Sequence, residues 1–250
     1  MRRVGLTLML GACQGPVLSP EAACPRWRVL RIVATEEPTL PRGCASDTVP
    51  YAVFLELRRD PLTGKPEWLS GHRYALAFYL EQLPVRLIVI ESPWEDTLFF
   101  PRDAEAIEAW RAALFEWVAD ELLPFLRPYA VPYVAWGRSW KQAPLSAEAW
   151  REALAQWRVQ DPSRRWGFCA AHPKDLPASS AWDFFGVDYQ HFYPLHERPA
   201  YHRAWEATEK PLLLVYPNLF EPDTVQALAE RQRHWHRPPQ AILLESPLCP

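Results

Sequence analysis

Glycine is scarce in this chain of 250 residues: there are nine, against 27 prolines. Connections rich in proline and poor in glycine are stiff ones, with few backbone states to lose on folding. Lysine is nearly missing too, with four against 23 arginines, an imbalance that identifies no partner. The net charge is only −3 and no basic stripe occurs, which excludes the electrostatic footprint that binding to nucleic acid needs. No apolar run is long enough to span a bilayer, and no internal repeat, low-complexity tract or second domain is visible. Metal spacing is absent as well. His234-Trp235-His236 puts two histidines on different faces of a helix end, away from the i, i+4 spacing of a zinc helix, and His191, His196 and His202 are scattered. Gly137-Arg138-Ser139 lacks the glycine that follows the serine of a nucleophile elbow. Neither a cofactor nor a metal is expected.

What is present is a regular beat. Runs rich in aliphatic and aromatic residues recur about every thirty positions, most of them separated by stretches of helical periodicity. They are Val29–Ala34, Tyr51–Leu57, Val85–Ile90, Val131–Trp136, Trp166–Ala170, Phe184–Tyr189, Leu212–Tyr216 and Ala241–Leu244. Strands apolar on both faces and alternating with helices call for a parallel sheet covered by helices. Eight of them in 250 residues predict a single-domain α/β fold, the (β/α)8 TIM barrel. Asp103 and Ser146 can cap helices, Ser70 can start an earlier one, and Pro222-Asp223 a later one. Residues 35–50 and 171–182 carry no clear helix and would form rim loops around a cleft.

The apolar fraction, 49%, suffices for a large core in one domain. Thirteen tryptophans are many, and Trp110, Trp117, Trp150 and Trp157 sit at helical spacing and belong to that core. At the N-terminus, Arg2 and Arg3 precede the apolar run Val4–Ala12, which ends Leu10-Gly11-Ala12-Cys13. This order resembles a bacterial lipoprotein signal peptide, in which Cys13 would be lipidated; the competing reading is an extra N-terminal strand. The division is then a signal over 1–13, a tether over 14–27 and a barrel over 28–250, with the protein outside the cytoplasm and touching membrane through its lipid anchor only. Export would put Cys24, Cys44, Cys169 and Cys249 in an oxidising compartment, with Cys169 a buried thiol and any bridge drawn from the other three.

Barrels of this type hold their chemistry at the C-terminal ends of the strands. Those ends carry Glu36 and Glu37, Glu56, Glu91 with Trp94, and the sequence Trp136-Gly137-Arg138-Ser139-Trp140. Further on come His172, the stretch Asp188-Tyr189-Gln190-His191 with Tyr193, then Tyr216 with Asn218, and finally Glu245. Carboxylates beside tryptophans and tyrosines suit a sugar: the acids bond hydroxyls or move protons, and ring faces pack on the apolar side of a pyranose.

Segments of the chain also resemble a known family. Pro101–Trp140, with its Asp103 cap and its ending at Trp140, is similar to the strand-4 unit of TIM-barrel glycoside hydrolases, in particular the β-mannanase-like family 113. Trp182–Leu195, with its aromatic-Pro-Leu turn, resembles that family's strand-6 segment, and Lys210–Val215 its strand 7. The resemblance implies a carbohydrate ligand. It also implies an acid/base glutamate after strand 4 and a nucleophile glutamate after strand 7, where this sequence has Ser139 and Tyr216. Retaining hydrolysis needs two carboxyls about 5–5.5 Å apart.

Two functions of different class follow. One is an oligosaccharide hydrolase with relocated carboxylates, Glu91 and Glu245 leading and Asp188 behind them. Glu91 and Glu245 share a setting, Ile90-Glu91-Ser92-Pro93 and Leu244-Glu245-Ser246-Pro247, in which each closes an apolar run and either acts as an acid or fixes a loop. Asp188 is a sugar contact or the partner of Arg138. The other is a non-catalytic carbohydrate-binding lipoprotein. In both, Trp94, Trp136, Arg138, Ser139, Trp140, Tyr189, His191, Tyr193, Tyr216 and Asn218 would line the cleft.

Overall fold

The apolar runs become parallel strands. In the computed structural model these are β1 (Arg26–Arg31), β2 (Tyr51–Arg59), β4 (Val85–Glu91), β5 (Tyr133–Trp136), β6 (Arg165–Ala170), β7 (Phe184–Asp188), β8 (Leu212–Pro217) and β9 (Ala241–Glu245). A short β3 (Pro66–Trp68) pairs antiparallel with β2, a hairpin that the sequence reading did not foresee. The structure describes residues 26–32, 37–40, 49–60, 62–92, 100–137, 140, 143–170, 175–177, 181–188, 212–217 and 241–245. Of residues 26, 187–188, 212–217 and 241–245 it describes the backbone alone.

The chain is α/β, and its parallel sheet curls on itself. The strand order is β1-β9-β8-β7-β6-β5-β4-β2-β3, and β1 also pairs with β2. Register runs Arg28↔Tyr51 between β1 and β2, Trp27↔Leu243 between β1 and β9, and Ile90↔Trp136 between β4 and β5. β1 begins at Arg26 rather than Val29. Arg26 and Trp27, assigned above to the end of a tether, are strand residues, and Trp27 is buried.

The described helices are α1 (His72–Gln82), α2 (Ala104–Trp117), α3 (Leu123–Leu126) and α4 (Ala147–Gln160). Asp103 caps α2 by accepting from the Ala106 N–H at 2.7 Å, and Ser146 caps α4 by accepting from the Ala149 N–H at 3.1 Å, as their residue types predict. α1 departs from expectation: its N-cap is Gly71, at φ 79°, rather than Ser70. Helix α2 runs on through a π-helical turn, Val118–Leu122, into α3, which carries Pro124. Proline offers no N–H to the preceding turn, and the wider turn absorbs that gap. Pro222-Asp223 lies outside the described residues.

Strand side chains alternate between two apolar layers. The inner layer holds Trp27, Val29, Ala52, Phe54, Leu87, Val89, Ala135, Cys169 and Phe184. The outer layer, packed against the helices, takes the intervening residues, among them Val53, Leu55, Ile88, Ile90, Val134, Trp136 and Phe168. Trp110, Trp117, Trp150 and Trp157 belong to it, as their spacing predicts. Two-faced burial is why these strands read as unbroken apolar runs. The inner face alternates bulk with small residues. At Gly167 an added Cβ would lie 2.2 Å from the Phe184 ring, so the bare backbone there lets Phe184 lie across β6.

Candidate functional site

Parallel strands put their C-terminal ends on one side of the sheet. Glu91, Asp188 and Glu245 are each the last residue of their strand, so they stand at the same end, as expected. Their backbones are fixed by register: Asp188 opposite Val215 and Glu245 opposite Pro217.

Glu91 is the acid whose surroundings are best defined. Leu87 and Val89 before it are inner-layer residues, so strand alternation carries Glu91 onto the same face above them. It is 5% exposed. Its carboxyl group lies over the end of β5, where an ideal Cβ on Gly137 would meet Glu91 Cδ at 2.1 Å and both Oε atoms at 2.3 Å. The Gly137 N–H donates to the Ile90 carbonyl at 2.7 Å, which ties the end of β5 to the strand carrying the acid.

A second acid stands on the neighbouring strand. Glu56 of β2 is in direct register with Glu91 of β4, the last pair of that ladder. Neighbouring strands lie about 4.8 Å apart. Glu56 alternates onto the inner face after Ala52 and Phe54. Burial holds its pKa above the ordinary carboxylate value, and the Arg31 guanidinium partly offsets this. Arg31 in turn lies 4.6 Å from the Phe54 ring centre, a cation–π contact at the same end of β1.

The backbone under Glu56 is pinned from outside the sheet. Its N–H donates to Nδ1 of His72 at 3.3 Å. His72 is buried, and burial pushes its pKa down. It is therefore the neutral imidazole, with the proton on Nε2. The sequence marks Glu56 as a strand-end group, but its pairing with Glu91 depends on register between β2 and β4, a tertiary property. His72 gave no signal at all.

Two expected ligand contacts are corrected. Trp136 and Trp140 are 0% and 1% exposed and sit in the outer core rather than facing a cleft. Their ring centres are 4.4 Å apart, and Trp136 also meets Trp150 and Trp157 at 5.6 and 5.9 Å. Trp136 follows Ala135, whose methyl group takes the inner face, so alternation turns the indole outward. Trp94, Arg138, Ser139, Tyr189, His191, Tyr193 and Asn218 lie outside the described residues, as does Cys13. Tyr216 is described by its place in β8, opposite Leu244. Cys169 is buried in the inner layer. Among the described residues no group of three or more His, Cys, Asp or Glu could hold a metal ion, and no helix is long and apolar enough to cross a membrane.

With this geometry in hand, known structures supply a fold relationship. A fungal endo-beta-N-acetylglucosaminidase from glycosyl hydrolase family 18 superposes with a TM-score of 0.55 at 9% identity, over 88% of this chain and 89% of that one. The C-terminal domain of ChiA from Legionella pneumophila superposes at 0.53 and 10% identity, over 87% of this chain and 92% of that one. The fold is shared with a glycoside hydrolase. At these identities the likeness concerns the fold alone. No family model matches the sequence, and no curated protein matches it.

Proposed function

We propose that this chain is a (β/α)8 barrel of glycoside-hydrolase type that acts on an oligo- or polysaccharide at the C-terminal mouth of its sheet. The observation carrying the proposal is the Glu56–Glu91 register pair. Two acids side by side on one face, one with its affinity for protons raised, are the equipment for general acid–base attack on a glycosidic bond. Glu91 keeps its leading role. Glu245 is separated from it by β1 and β2 in the strand order, whereas Glu56 is on the adjacent strand, so Glu56 joins Glu245 and Asp188 as a possible partner acid. Kinship with the β-mannanase-like group rests on the segments 101–140, 182–195 and 210–215. The order of Arg2, Arg3 and the Leu10–Cys13 segment supports export and a lipid anchor at Cys13.

A non-catalytic carbohydrate-binding lipoprotein is the second reading, favoured by Ser139 and Tyr216 at the positions where the resembled family keeps glutamates. One panel separates the two. The chain lacking residues 1–13 is incubated with β-mannan, β-glucan and peptidoglycan-derived oligosaccharides, scoring binding and released product. Hydrolysis that is lost in Glu91→Gln with binding kept supports the enzyme, because the amide keeps shape but not proton transfer. Binding without product supports the binder. No binding to any glycan refutes both.

A further inference from the structure

Gly137 adopts no left-handed backbone conformation, since the positive-φ glycines among the described residues are Gly64 and Gly71. Its missing side chain is therefore a matter of room rather than of backbone freedom. The room is filled. The Glu91 carboxyl occupies the space a β-carbon would take, with all three of its terminal atoms within 2.3 Å of that point. Glu91 must thus lean away from its register partner Glu56 and across its other neighbour, β5.

We infer that Gly137 is a positioning residue, the seat that holds the Glu91 carboxyl over β5 and so sets its separation from Glu56. Two carboxyls on adjacent in-register positions, left upright, would crowd each other and share a proton. Leaning one of them over a glycine relieves that crowding while both remain on the inner face. The separation sets how strongly each acid would feel the other's charge. The inference rests on the proposal that Glu91 acts on a glycan, but the seat itself is a property of the fold.

The atoms that a new β-carbon would strike are the far end of a flexible side chain rather than backbone. Gly137→Ala should accordingly expel the carboxylate from its seat and leave the strands in place. Two readouts follow, on the full-length chain. In carbon-13 carboxyl titrations, Gly137→Ala moves the midpoints of both Glu56 and Glu91. In Gly137→Ala/Glu91→Asp the shorter acid regains room, and the Glu56 midpoint returns toward its starting value. On any glycan the wild type cleaves, Gly137→Ala lowers kcat roughly 10- to 100-fold, the scale of an ångström misplacement, with KM little changed. The shortened acid then restores part of the loss.

Unmoved midpoints in Gly137→Ala overturn the inference, whatever the activity. If the wild type cleaves nothing, the functional proposal fails while the titrations still decide the seat. Should Gly137→Ala not fold, Gly137→Ala/Glu91→Ala decides. A wild-type melting temperature assigns the damage to the Glu91 contact and supports the seat, and continued failure to fold refutes it.

Discussion

Trp136→Ala should damage stability rather than ligand affinity, and the size of the damage can be worked out. The indole is 0% exposed and its ring centre lies within 6 Å of those of Trp140, Trp150 and Trp157. A tryptophan side chain buries roughly 200 Å², which at about 25 cal/mol per Å² amounts to about 5 kcal/mol. Compact denatured states trim that figure, and measured aromatic-to-alanine changes in cores cluster at about 3–5 kcal/mol. A loss of about 4 kcal/mol is expected, a large share of the roughly 5–15 kcal/mol that holds a domain together. At this chain length it corresponds to a melting temperature lower by about 8–16 °C. Trp136→Phe is milder, about 1–2 kcal/mol, because the indole Nε1 finds no hydrogen-bond acceptor among the described residues, so no bond is forfeited. The assay is urea unfolding followed by far-ultraviolet circular dichroism, with glycan binding measured on whatever remains folded. A Trp136→Ala protein with an unchanged urea midpoint and abolished binding would refute the burial argument and return this residue to the ligand.

Arg164 offers a second stability test, at the opposite end of the strands. Its guanidinium donates to the carbonyls of Leu126, Val131 and Tyr129 and, through Nε, to Asp161 at 2.6 Å, and its side chain is 3% exposed. Arg164→Met strands several buried acceptors and one carboxylate and should cost about 3–5 kcal/mol in urea unfolding; a loss below about 1 kcal/mol would show that those acceptors find other donors. Glu56→Gln should change the pH dependence of stability. Because burial raises the folded-state pKa of Glu56, the protonated form favours folding, and stability is lost as pH climbs from the unfolded value near 4.3 through the folded one. The glutamine variant should therefore match the wild type at about pH 3 and exceed it at neutral pH in paired urea titrations; a gap that is constant or reversed would refute the assigned cause.

How much of this could be read in advance depended on whether local pattern decided it. The eight parallel strands were legible because burial on both faces writes them as apolar runs, and the Asp103 and Ser146 caps because a short polar side chain before a periodic segment has one obvious use. The start of β1 was missed because pairing with β9, more than 200 residues away, decides it rather than the local pattern of Arg26-Trp27-Arg28. β3 was missed because three residues carry no period. Helical spacing places four tryptophans in the core, whereas Trp136 and Trp140, at a strand end, read as ligand contacts and are buried. Alternation around Ala135 already pointed the first of them outward. At the site, Glu91 was legible as the acid closing a buried strand. Its pairing with Glu56 and its seat on Gly137 depend on register between strands, which no single strand encodes.

The double pairing of β1 has a consequence for how the protein comes to be made. β1 hydrogen-bonds to β2, close in sequence, and to β9, more than 200 residues on. Until β9 arrives, one edge of β1 and the outer edge of β8 both offer unpaired backbone groups to any passing strand. Contacts so distant in sequence are slow to form, since a long intervening loop must be closed first. β1 and β9 are thus joined only once β9 itself has been made, which leaves an earlier species with two sticky margins. Loss of the few residues of β9, by truncation or proteolysis, would make that vulnerable interval permanent.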